Sequence, residues 1–233
     1  MPSILIGLLT LGQPTFIATG FSFSPASVTV NVGDMVSWSL VDGFHTVTSG
    51  RSSNPPDRPG ALFDAPLDPG NPSFVYRVLS CGERGNGAIP FFCRPHELFL
   101  MTGTINVNPV LTAVETPRPG TNVNLTLSCP FQASRSYFLG ASLGTSGIEV
   151  AGGRIVPLSP DPLLVVSLGA NFPPFLGFSG VLAGGGGGAA QLQIPLIPQL
   201  VGVTVNIAGV TIDPPAPGGI GIVSNLLALT IQQ

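Results

Sequence analysis

The stretch SVTVNVGDMVSWSLVDGFHTVTS, residues 27–49, decides how the first half of the chain folds. Val28, Val30 and Val32 recur at period two, Gly33-Asp34 breaks the run, and alternation resumes through residues 35–40 around Trp38, the only Trp. Asp42-Gly43 is a second turn signal, and residues 45–49 then read as another strand. Apolar residues alternating with polar ones between Gly/Asp turns are the pattern of half-buried strands, not of helix. Working outward, strands are expected over 15–23, 74–79, 88–93 and 103–108, making about seven. A polar, Pro-rich segment at 50–72 is expected as a long loop, too long for a hairpin. Short strands at this spacing fit a Greek-key sandwich or barrel.

Composition agrees and excludes other classes. The 233 residues include 31 Gly and 25 Pro, and only 8% are charged. Helical bundles need long runs free of Gly and Pro. No Lys occurs and the formal charge is −3, so the basic patch of a nucleic-acid binder is missing. A hydrophobic content of 44% with so few charges favours collapse over disorder. Residues 162–212 carry no charge, yet Pro173, Pro174, Pro195, Pro198, the Gly184–188 run and several Asn and Gln interrupt them. No window there offers the roughly 18–20 unbroken apolar residues of a spanning helix, so no integral membrane span is expected. The start of the chain, residues 1–13, reads either as a truncated signal-peptide remnant or as an ordinary first strand.

The second half repeats the strand-and-turn grammar with strands expected over 123–128, 136–139, 163–168, 191–195, 202–207 and 225–231. The expectation is therefore an all-β chain with a first β unit at 14–108, a linker at 109–117 and a second β-sandwich at 118–233. Gly140-Ala141-Ser142-Leu143-Gly144 satisfies the G-x-S-x-G pattern of a nucleophile elbow, but no His is left to activate the serine and no strand–turn–helix context surrounds it. The Gly184–188 run lacks the Lys of a phosphate loop and reads as a flexible turn.

Chemistry concentrates around the only two His, His45 and His96. The segment Phe92-Cys93-Arg94-Pro95-His96-Glu97-Leu98-Phe99-Leu100-Met101 holds a Cys-x2-His-x4-Met spacing. A thiolate, an imidazole and a thioether on one loop, joined by a second imidazole from a distant strand end, form a set of two imidazoles and one thiolate with a weak axial thioether. That donor set suits copper cycling between two oxidation states. Zinc fits less well, because structural zinc sites rarely use a thioether.

Residues 14–108 resemble the cupredoxin family, of the plastocyanin, amicyanin and halocyanin type. The resemblance rests on Phe23-Ser24-Pro25, on Val28 through Trp38, on His45-Thr46-Val47, on Phe63-Asp64, on Phe92-Cys93-x-Pro95-His96-Glu97, and on Met101 through Val107. It implies a Greek-key cupredoxin sandwich with one type 1 copper on His45, Cys93, His96 and Met101. It also implies single-electron transfer to a redox partner protein and a periplasmic, secreted or cell-surface location, and not an enzyme. Thr46 would tie the two ligand loops together, and His96 would be the ligand nearest the surface, ringed by Phe44, Pro95, Leu98 and Phe99. Leu100 departs from the Gly often found before the Met, and Cys81 is an extra Cys.

With Cys93 assigned, Cys81 and Cys129 are left either as a disulfide clamping the two halves or as free thiols, and the implied oxidising location favours the bridge. Residues 118–233 only weakly resemble a β module of secreted bacterial proteins, which names no activity. The alternative from another class is a copper-binding or structural cell-surface module with no redox partner.

Overall fold

The computed structural model describes residues 13–54 and 58–233; the reading of residues 1–13 falls, but for its last residue, outside the described residues. Among the described residues, the first half contains nine strands: β1 (Thr15–Thr19), β2 (Ser22–Ser24), β3 (Ser27–Val30), β4 (Met35–Leu40), β5 (His45–Ser49), β6 (Asp64–Leu67), β7 (Ser73–Arg77), β8 (Ala88–Phe92) and β9 (Thr102–Val107). They form two sheets, ordered β2-β1-β4-β7 and β3-β9-β8-β5-β6. β1 runs parallel to β4 and β3 parallel to β9, while the other pairs are antiparallel. Chain-distant strands thus lie side by side, the long-range pairing of a Greek-key sandwich.

Two expectations shift here. The single strand expected over 15–23 is a hairpin, because Gly20 takes a left-handed φ of 53° and turns β1 back on β2. The loop expected at 50–72 contains β6, whose Asp64-Ala-Pro-Leu67 pairs with β5 from Thr48 to His45. The Pro-rich flanks masked so short an edge strand.

Aromatic side chains fill the space between the sheets. Phe16 and Trp38 stack at 5.4 Å on one sheet, and Phe91 from the other meets both edge-on at 4.8 and 5.2 Å. Edge-to-face contacts of this kind add to an already large buried apolar area. Phe91 lies across the strand pair onto Gly103, its register partner on β9. A Cβ at Gly103 would stand 2.3 Å from Phe91 Cζ, so the glycine is required by close approach.

The second half supplies β10 (Leu111–Ala113), β11 (Asn122–Ser128), β12 (Ser136–Ser142), β13 (Ile148–Glu149), β14 (Ile155–Val156), β15 (Phe175–Leu176), β16 (Ser179–Val181), β17 (Gly187–Gln193), β18 (Thr204–Ile212), β19 (Ile220–Val223) and β20 (Leu227–Thr230). One sheet is ordered β10-β11-β17-β15, and the other β16-β12-β18-β19 with β20 also on β18. β10 falls inside the segment expected as a linker. Residues 163–168, expected as a strand, are the helix α1 (Pro162–Ser167). The Asp161 carboxylate accepts from Leu164 N at 3.0 Å and Pro162 occupies the first turn, a start signal that outweighs the β-branched content. Two residues of the Gly run, Gly187 and Gly188, belong to β17 and not to a turn.

The elbow-like serine is structural. Ser142 is fully buried, donates to Gly144 O at 2.6 Å and accepts from Ser159 N at 3.2 Å.

The halves share one continuous apolar core that runs from Phe16 to Ile231. Cys81 N donates to Val223 O and Val223 N to Leu79 O, each at 3.0 Å. The Asn225 amide accepts from Val110 and Leu111 N and donates to Leu111 O. The Arg154 guanidinium is buried and donates to the carbonyls of Ala151, Pro217 and Gly221. Its charge stands near Tyr76, whose hydroxyl burial pushes up to about 12 against the opposing pull of Arg154.

The expected Cys81–Cys129 bridge is absent: both are free, buried thiols. Cys81 Sγ is spent on Asn108 O at 3.6 Å. Burial pushes Cys81 to about 11 and Cys129 to about 12, the nearby Cys81 adding to the latter.

Gly103→Ala is expected to destabilise the protein by about 1–3 kcal/mol through overpacking against Phe91. Equilibrium denaturation checks this, and a variant as stable as the parent would show that Phe91 has room to move.

Candidate metal centre

His45 opens β5 and Cys93 follows β8, and these strands pair only through Thr48–Phe92 and Ser49–Phe91. That register sets the two residues side by side at one end of the sandwich although 48 positions separate them in the chain. The loop from Cys93 to Met101 then folds on itself. Cys93 N donates to Met101 O at 3.0 Å, His96 N to Cys93 O at 3.2 Å, and Met101 N to His96 O at 3.3 Å. A single 3-10 turn, Glu97–Phe99, carries the chain across, and Leu100 closes it in the left-handed region with φ 56°. That conformation is the physical reason a glycine suits this position.

His45 Nδ1, His96 Nδ1 and Cys93 Sγ converge. The two nitrogens are 3.1 Å apart and lie 3.7 and 3.4 Å from the sulfur. A point equidistant from all three sits about 2.0 Å from each, the length of a metal–imidazole bond (about 2.0–2.1 Å). His45 Nε2 lies 3.0 Å from the Asp42 carbonyl, which can only accept, so the proton sits on Nε2 and the Nδ1 lone pair faces the cluster. Burial holds His45 below its usual 6.5, the nearby His96 acting the same way, against the opposing pull of the Asp42 carbonyl and carboxylate. A neutral imidazole is the form that binds a metal. Met101 is completely buried on the same loop.

The surroundings fix these donors. Thr46 N points at Cys93 Sγ at 3.4 Å, and Thr46 Oγ1 accepts from Arg94 N at 2.9 Å. Thr46 thus ties the segment that carries His45 to the one that carries Cys93. Asp42 accepts from Gly20 N and Thr19 Oγ1 at 2.8 and 2.9 Å, which anchors the β1–β2 hairpin to the His45 turn. The tip of that hairpin carries Phe21, which stacks on Phe99 at 4.5 Å and meets the His96 ring edge-on at 4.9 Å.

His96 is half-buried while His45 is only 3% exposed, so His96 is the imidazole nearer solvent. The four apolar residues expected around it, Phe44, Pro95, Leu98 and Phe99, are all exposed. Phe21 is the member that sequence reading missed. It sits in a hairpin that periodicity read as one strand, and its approach to His96 is a long-range contact with no local signal.

No protein-family model matches the chain, and no curated protein matches it. Among solved structures, it is similar to the oxidised plastocyanin of Dryopteris crassirhizoma at 26% identity, covering 40% of this chain and 99% of that one, with a TM-score of 0.32. It is also similar to amicyanin from Paracoccus versutus at 12% identity, covering 42% and 83%, with a TM-score of 0.30. A purple cupredoxin from Nitrosopumilus maritimus shows 21% identity, 41% and 99% coverage and a TM-score of 0.31.

In the chain itself, the parallel β3–β9 and β1–β4 pairs frame a His-Cys-His cluster at one end of a two-sheet sandwich. The sheet topology and the cluster agree with the cupredoxin resemblance of residues 14–108. The donor set, two imidazoles and one thiolate with a buried thioether on the same loop, fits a copper site.

Replacing Phe21 by Ala is expected to speed acylation of His96 by diethylpyrocarbonate several-fold in the metal-free protein, with His45 still protected. Peptide mapping of the modified His checks it; an unchanged rate would mean that Phe99 alone shields the ring.

Proposed function

We propose that this chain is an extracytoplasmic type 1 copper protein that passes single electrons, with His45, Cys93, His96 and Met101 holding the metal. The convergence of three donor atoms from two loops about one point carries this reading. Bound copper would supply a one-electron couple whose potential depends on the Cys93 thiolate, the Met101 thioether and their surroundings. The protein's own part is to hold the donors in place beforehand. The backbone bonds among Cys93, His96 and Met101 already close the loop, and the Asp42 carbonyl already sets the His45 tautomer. A site shaped in advance limits rearrangement between oxidation states.

His96, its ring met by the exposed Phe21 and Phe99, is the route by which an electron reaches a partner. A chain with 8% charged residues and no Lys meets that partner through apolar contact and not through a strong steering field. The electron-carrier role, without catalysis, belongs to the same reading. So does the division near residue 109, which leaves residues 118–233 as a β module bound to the copper unit.

Cu(II) added to the purified protein is expected to give an intense thiolate-to-copper absorption at one equivalent, bleached and restored by one-electron reduction and oxidation. A colourless or redox-silent protein would sink the reading. Cys93→Ser is expected to abolish the colour, and its survival would mean that another thiol binds the metal. Met101→Leu is expected to keep the colour and raise the potential, because losing an electron-pair donor destabilises Cu(II) more than Cu(I).

A further inference from the structure

Asp64 stands outside the donor cluster, yet a continuous run of hydrogen bonds connects it to the Cys93 sulfur. Asp64 is the register partner of Thr48 across β5 and β6. Its Oδ1 accepts from Thr48 Oγ1 at 2.8 Å and its Oδ2 from Arg94 Nη2 at 2.7 Å. Thr46 and Thr48, two apart on β5 and so on one face, have hydroxyl oxygens 3.1 Å apart. Arg94 N donates to Thr46 Oγ1 at 2.9 Å.

Counting protons fixes every direction. A threonine hydroxyl has one hydrogen, and an ionised carboxylate only accepts. Thr48 must give its hydrogen to Asp64, so the bond between the two threonines runs from Thr46 to Thr48. Thr46 in turn accepts from the Arg94 amide. The chain of donors leaves the Arg94 backbone, passes Thr46 and Thr48 and ends on Asp64, where the Arg94 guanidinium closes it into a ring. Bonds aligned in this way polarise and strengthen one another.

We propose that Asp64, Thr48 and Arg94 are positioning residues that set the strength of the Thr46 N–H to Cys93 Sγ hydrogen bond, and through it the reduction potential. This rests on the copper reading above. The ring holds Thr46 by its hydroxyl from both sides, and it holds Arg94, the residue next to the thiolate, by both its backbone and its side chain. The Thr46 amide therefore reaches the sulfur from a fixed position, 3.4 Å away. An N–H aimed at the thiolate withdraws charge from it and favours the reduced metal.

Thr48→Val tests this, because it removes one hydroxyl hydrogen at nearly constant shape and charge. In the copper-loaded protein the equilibrium constant for one-electron reduction is expected to fall about three- to tenfold, where tenfold corresponds to about 59 mV. The thiolate-to-copper band is expected to move with it, and Thr48→Ser is expected to restore both.

In the metal-free protein the Thr46 amide is expected to exchange its hydrogen about tenfold faster in Thr48→Val, and at the parental rate in Thr48→Ser. If Thr48→Val fails to fold, Asp64→Asn at the exposed end of the ring carries the exchange measurement. There the Asn amide puts a donor where Arg94 or Thr48 needs an acceptor, and faster Thr46 exchange is again expected.

Unchanged exchange and potential in the folded variants would overturn the proposal. So would Thr48→Ser shifting as far as Thr48→Val, which would mean a packing effect. A parent protein that fails to colour with Cu(II) would sink the copper reading itself, a failure separate from one confined to the variants.

Discussion

The pairing of β5 with β8 is the constraint on which the His45-Cys93-His96 cluster depends. Only Thr48–Phe92 and Ser49–Phe91 are in register, yet this short contact sets His45 beside Cys93. Strand side chains alternate faces, so a slip of one residue between β5 and β8 would turn Cys93 away from His45. Register here is set from both sides. Phe91 is packed in the core against Phe16, Trp38 and Phe23, and its ring lies over Gly103 on the next strand, where a side chain would not fit. Packing therefore sets the geometry of the cluster, and removing a ring of this size from such a core costs about 3–5 kcal/mol.

Charge plays a small and local part. Each of the three ion pairs among the described residues has a partner more than a third exposed, and such pairs contribute little to stability. Their service is positional. Arg58 reaches Glu149 and the Gly153 carbonyl across the two halves, and Arg94 holds Asp64 beside the ligand loop. Gly153 permits the first of these contacts, because its φ of 70° and missing side chain let the β13–β14 hairpin lie against Ala61 O, 1.8 Å from where a Cβ would stand. The second half is thus bonded to the loop that leads into β6 and Asp64. The buried Arg154 and the continuous apolar core make the same junction more like a domain interior than a hinge.

Much of the site was legible because its signals are local. Cys93, His96 and Met101 lie within nine residues, and His45 is the only other His. The strands at 35–40 and 45–49 were readable to the residue, since sharp Gly/Asp turns bound an alternating pattern. The losses have equally specific causes. A single left-handed Gly20 split a strand that alternation alone left whole. Pro on both sides disguised β6 as loop, and an Asp-Pro capping start turned an apolar run into α1.

By itself, the order of residues determined the all-β class, the donor types and their spacing, because alternation, turn residues and ligand chemistry are properties of neighbours in the chain. Only the tertiary structure decided that His45 and Cys93 share a point in space, that Phe21 covers His96, and that Asp64 closes a ring behind Thr46. It also decided that Cys81 and Cys129 stay as thiols, each buried and each partnered or packed where it lies. These facts arise from contacts between residues tens of positions apart, which depend on sheet register and on which side chains fit the same space. No local pattern carries that information.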